Sequence, residues 1–174
     1  EHRRTTRGIS VVLTERDIRN VSDVLREAAE REILPRFRRL DPGTVKTKSN
    51  PTDLVTEADT EAERMIKAEV ERRWPGTLVV GEESVAADPA LLGQLAGADV
   101  AITVDPVDGT ANFAAGLPLF AVMASIVVKG EVTAGIIYDP MGDDWILAEL
   151  VYADAIRTSG RVAQIGINCW LCER

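Results

Sequence analysis

Three acidic stretches stand out by residue type and spacing: Asp59 in TEADTE, Glu82 in GEES, and the pair Asp105 and Asp108 in DPVDGT. Carboxylates gathered from separate segments attract hard divalent cations, and Mg²⁺ takes a few of them together with water and substrate phosphate. Pro106 restricts the turn between Asp105 and Asp108, so both carboxylates can meet at one point, and Gly109 permits a close backbone approach. Thr110 adds a hydroxyl able to position a metal-bound water, with Asp59 as a candidate proton acceptor. Amides at Gly109, Thr110 and Ala111 face a phosphate if a helix begins there. The chemistry suggested is metal-assisted hydrolysis with metals and phosphate at a common location. A plainer reading stands beside it. Asp-Pro and Asp-Gly are ordinary turn dipeptides, GEES can be a solvated strand end, and Asp59 can be an exposed acid at a helix start.

The elements that must carry these residues follow from periodicity. Thr14 with Asp17 resembles a capping box, and Ile18, Val21, Leu25, Ala29 and Ile33 follow at spacings of three and four, predicting a helix over 14–34 that Pro35 closes. The stretch LDPGTVKTKSNPTD reads as a surface loop. A second helix is predicted over 56–74 from Ala58, Ala62, Met65, Ile66, Val70 and Trp74, ended by Pro75-Gly76. Leu78, Val79 and Val80 read as a buried strand with Glu82 at its tip, and Val100 to Val104 as a second strand running into Asp105. Apolar runs at 119–128, 132–138 and 145–150, separated by Lys129-Gly130 and by Asp139-Pro140-Met141-Gly142, read as an antiparallel meander. Two helices followed by several strands predict an α+β fold, the helices packed on a mostly antiparallel sheet. Parallel pairing of the first two strands stays open.

Composition sets the boundaries. The 174 residues are 45% hydrophobic and 28% charged, the balance of one globular domain large enough to fold without disulfides or a structural metal. Apolar runs break at Lys129, Gly130 and Glu131, short of the ~20 residues a membrane helix needs, and no membrane partner is expected. A net charge of -8 argues against nucleic acid as a partner and leaves an anionic substrate in need of a cation. The start EHRRTTRG lacks an apolar signal region, so the expected location is the cytoplasm. Cys169 and Cys172 form one C-x-x-C, and with His2 the sole histidine they make a poor zinc or redox site. Neither a P-loop nor H-E-x-x-H occurs, and the 12-residue EF-hand pattern is absent.

Taken in order, NPTDLVTEADTEAE, GEES and DPVDGTANF resemble the inositol monophosphatase family of Mg²⁺-dependent, lithium-sensitive phosphatases, over roughly 21–149. The resemblance implies the first half of that family's αβαβα sandwich and a site of two or three Mg²⁺ ions. Glu82 and Asp105 would ligate the first metal together with the Val107 carbonyl, and Asp105 and Asp108 the second. Asp59 and Thr110 would activate the water, while Asp108, Gly109 and Thr110 would meet the substrate phosphate. The 46–53 loop would close near a third, weaker metal. The implied substrate is a small phosphorylated metabolite. The family's second half supplies a further aspartate in a W-D-x-A-[AG]-G segment, but Trp74, Trp145 and Trp170 are followed here by Pro, Ile and Leu. The expected organisation is therefore an α+β domain over 1–150 and a divergent tail over 151–174, from truncation or an altered frame. A noncatalytic remnant that keeps the fold and weak metal binding is the alternative. Apolar surface left bare where a second half would dock predicts a homo-oligomer or a marginally stable chain.

Overall fold

The computed structural model of the chain describes residues 14–41, 43, 45–47, 54–150 and 167–171. Helix α1 (Glu15–Ala28) opens on the predicted capping box, in which the Asp17 amide donates to Thr14 Oγ1 at 3.2 Å and the Thr14 amide donates to Asp17 Oδ2 at 2.9 Å. The periodic apolar residues Ile18, Val21, Leu25, Ala29 and Ile33 are all buried. The helix does not run to residue 34 as one element. Ala29–Ile33 forms a single π turn, with the Leu34 amide reaching the Ala29 carbonyl at 2.8 Å. Pro35 follows and has no N–H to continue the ladder, and the wider turn ends the helix with Ile33 still inside.

The predicted surface loop holds a small antiparallel pair, β1 (Lys46–Thr47) and β2 (Leu54–Val55), while positions 48–53 of the proposed third-metal loop lie outside the described residues. Helix α2 (Glu57–Arg73) starts at a second capping box, built on Thr56 and Asp59, and buries Ala58, Ala62, Ile66 and Val70. Then come β3 (Leu78–Gly81), α3 (Glu82–Ala87), a 3₁₀ segment (Pro89–Gly97), β4 (Val100–Asp108), α4 (Thr110–Ala114), β5 (Ala121–Val128), β6 (Glu131–Asp139), β7 (Asp144–Leu150) and β8 (Ile167–Leu171). Glu82 therefore begins a helix, where the sequence suggested a strand tip, because the strand stops at Gly81.

Strands β3 to β8 form one sheet in chain order, with β3 and β4 parallel and every other pair antiparallel. This is the α+β arrangement expected, with the open question of the first two strands settled as parallel. Strand β8 falls in the segment read as a tail and pairs with β7; the rest of 151–174, Cys172 included, lies outside the described residues. One sheet face, carrying Ile102, Ile126, Ile136 and Tyr138, packs against Val21, Leu25, Ala62 and Ile66 of the helices. Arg26 ties α1 to the β6–β7 turn. Its Nε donates to Asp143 Oδ1 at 2.9 Å, its guanidinium lies 4.3 Å from the Trp145 ring centre, and Tyr138 donates to the same Asp143 oxygen. The opposite face is lined by Thr103, Met123, Ser125, Ile137, Ile146 and Ala148 around an open groove of about 410 Å³. Among the described residues no helix is long and apolar enough to cross a membrane.

Candidate active site

Strand β4 carries the acid pair through an irregularity. Asp105 pairs with Met123 and Asp108 with Ala121, so three steps on β4 oppose two on β5. In a regular strand an odd spacing puts two residues on opposite faces. The extra residue around Pro106 and Val107 re-phases the strand and brings Asp105 and Asp108 into register with two β5 residues of one face. Pro106 suits this place because it has no N–H to offer a ladder.

Gly109 then turns the chain with φ 93, a conformation that disfavours side chains, and caps α4. A Cβ there would also meet the Leu119 carbonyl at 2.8 Å. Phe113 of α4 is fully buried against Phe37 and Phe120, with ring centres 5.6 and 5.0 Å away. These contacts hold Thr110 at the first helical position.

Asp59 reaches Thr110 from α2. The Thr110 hydroxyl lies 3.1 Å from Asp59 Oδ1 and 2.9 Å from the Val107 carbonyl, one hydrogen with two acceptors in range. The other Asp59 oxygen accepts from the Thr56 amide at 2.8 Å and the Thr56 hydroxyl at 2.6 Å. Asp59 is 1% exposed, and burial raises its carboxyl above the usual range, against the lowering effect of the Thr56 and Thr110 hydrogen bonds. It is no exposed helix-start acid.

Asp105 stands where three acids crowd. Burial raises its carboxyl to about 7, helped by the charges of Glu82 and Asp108 and by a hydrogen bond with Glu82, while the Val107 amide donating to Oδ1 at 3.1 Å opposes the rise. Mutually repelling carboxylates beside a main-chain carbonyl are the donor chemistry Mg²⁺ takes. Among the described residues no three Asp, Glu, His or Cys side chains close around a single point. The set fits Mg²⁺ in donor type, with the remaining oxygens to come from the Val107 carbonyl, water or phosphate.

Of the seven predicted site residues, six fall on two connected groups, Asp59 with Thr110 and Val107, and Glu82 with Asp105 and Asp108, and the seventh, Gly109, joins the two at the β4–α4 turn. Sequence reasoning missed two supporting residues. Thr56 was visible as the T-x-x-D capping signature it shares with Thr14. Glu63, a carboxylate 5% exposed, accepts from the Glu83 amide at 2.7 Å and the Ser84 amide at 3.0 Å, and no local pattern marks it.

The sequence profile described as the inositol monophosphatase family matches residues 16–159. Inositol monophosphatase 1 of Sus scrofa is 32% identical over 126 residues, which are 72% of this chain and 40% of that protein. Inositol-1-monophosphatase of Mycobacterium leprae is 41% identical over 93 residues, 53% of this chain and 31% of that one. Among solved structures, Thermotoga maritima IMPase superposes with a TM-score of 0.63 at 30% identity, over 78% of this chain and 48% of its own. The chain spans two fifths or less of the length of these two curated relatives.

Proposed function

This chain belongs to the inositol monophosphatase family, and from that premise we propose that it is the metal- and water-handling part of a Mg²⁺-dependent phosphomonoesterase. The observation that carries the reading is the Thr110 hydroxyl between Asp59 Oδ1 and the Val107 carbonyl, one turn of chain from the crowded Asp105. Glu82, Asp105 and the Val107 carbonyl would hold one Mg²⁺, and Asp105 with Asp108 a second. When bound, Mg²⁺ supplies Lewis-acid polarisation of the phosphoryl group and acidifies a water. The chain's own residues do the rest. Thr110 donates its hydrogen to Asp59 Oδ1 and uses the freed lone pair to take a proton from the attacking water. Thr56 holds Asp59 by its other oxygen, so the accepting lone pair stays aimed at Thr110. The Gly109 and Thr110 amides meet the phosphate oxygens beside Asp108. The substrate is a small phosphorylated metabolite of the inositol monophosphate kind. The working unit is the α+β domain, whose sheet takes in β8 from the 151–174 segment.

A second reading, a noncatalytic remnant with weak metal affinity, is favoured by the lack of a three-acid cluster among the described residues. Phosphate release from a panel of sugar and inositol phosphates, with Mg²⁺ and with EDTA, separates the two. Release that needs Mg²⁺ and disappears in Asp105→Asn is the expected result. Release that survives Asp105→Asn defeats the site assignment, and no release from folded protein that still binds Mg²⁺ favours the remnant.

A further inference from the structure

Helix α3 is six residues long, and its N-cap, Gly81, has no side chain to satisfy the first amides. The cap comes instead from another helix. Glu63 of α2 accepts from the Glu83 amide with Oε2 and from the Ser84 amide with Oε1, and the Ser84 hydroxyl also donates to Oε1. These are the second and third amides of the helix, the pair a local Ser or Asp cap would take. A Cβ at Gly81 would run into the Glu63 carboxylate, so the strand end and the borrowed cap require each other. Burying a carboxylate is costly unless its hydrogen bonds are specific. The first residue of the helix so fixed is Glu82, the partner of Asp105.

We propose that Glu63 is a positioning residue for divalent-cation binding: by capping α3 across the fold, it fixes the rotation at which Glu82 meets Asp105. The proposal rests on the metal reading above. Asp59 and Glu63 lie four residues apart on α2, so one helical face sets both halves of the site, Asp59 the Thr110 side and Glu63 the Glu82 side.

The test is Mn²⁺ binding, followed by its electron paramagnetic resonance signal, at a temperature where circular dichroism shows each variant folded. Glu63→Gln keeps the shape but turns an NH₂ group toward an amide donor. It is expected to weaken Mn²⁺ binding about tenfold or more, the usual scale for groups that hold a ligand in place. Val70→Ala, in the core of α2, is expected to lower the melting temperature and leave the affinity unchanged. Affinity unchanged in Glu63→Gln, or weakened equally in Val70→Ala, overturns the proposal while the metal reading stands. Absence of binding in the unaltered chain, or binding that survives Glu82→Gln, overturns both. Should Glu63→Gln fail to fold, amide hydrogen exchange in the unaltered chain decides. Protection of the Glu83 and Ser84 amides is expected, and exchange at the rate of unstructured amides overturns the proposal.

Discussion

Two identical local devices show how much surroundings decide for a single side chain. Thr14 with Asp17 and Thr56 with Asp59 form the same capping box, yet Asp17 is held below the usual carboxylate range by Thr14 while burial drives Asp59 above it. Asp17 thus stabilises the fold above the ordinary carboxylate range, and that contribution is lost as pH falls through its lowered value. Asp105 has the opposite sign. Its folded value near 7 exceeds the 3.8 of an unperturbed aspartate, so the metal-free folded state binds the proton more tightly than the unfolded chain. The favourable contribution is full below the unfolded value and drains away as pH rises through about 7. In EDTA the melting temperature should therefore increase from about pH 8 to about pH 6, and Asp105→Asn should flatten that dependence. Thermal melts across that range check it, and an equal slope in Asp105→Asn contradicts it. The acids of the proposed site stand out in the sequence because their motifs are contiguous. Their environments were not: the depth of Asp59 depends on α4 and β4 residues some fifty positions away, and Glu63 acts across the fold on amides, which carry no sequence signature.

At the scale of elements, apolar spacing located both long helices and strands β5, β6 and β7, but not β8, which lies in the segment read as a tail. What it could not show was how elements end. The π turn before Pro35, the start of a helix at Glu82 and the extra residue in β4 all arise from hydrogen bonds that periodicity does not report. The consequence for the site is greatest at the β4–α4 junction. Gly109→Ala adds a side chain at φ 93 and a 2.8 Å encounter with the Leu119 carbonyl. It should cost roughly 2 kcal/mol of stability in urea unfolding, given the strain of a side chain in that region. It should also loosen the Thr110 contact with Asp59, so any phosphatase activity should fall further than stability alone explains. Wild-type stability and turnover in Gly109→Ala would show the turn to be indifferent.

For the molecule as a whole, the described residues dress the sheet on one side. The helices cover one face, and on the other Ile137 and Ile146 are 42% and 46% exposed beside the groove that Asp105 helps line. Contiguous apolar surface of this kind associates. Sedimentation should find the chain in concentration-dependent self-association, reduced when Ile146 is replaced by Lys, and a monodisperse monomer at every concentration would refute it. The fold class was readable because helices followed by strands allow few arrangements. The bare face was expected only through the family resemblance. The strand order has a consequence of another kind. From β3 to β8 each strand lies beside the one that precedes it in the chain, so the sheet can assemble in the direction of translation, adding each new strand to the last one laid down. Such nearest-neighbour pairing keeps contacts short in sequence and favours rapid folding. On the ribosome, the two helices and the acid-bearing β4 emerge before the meander, and the scaffold that holds the site can begin to form while the rest is still being made.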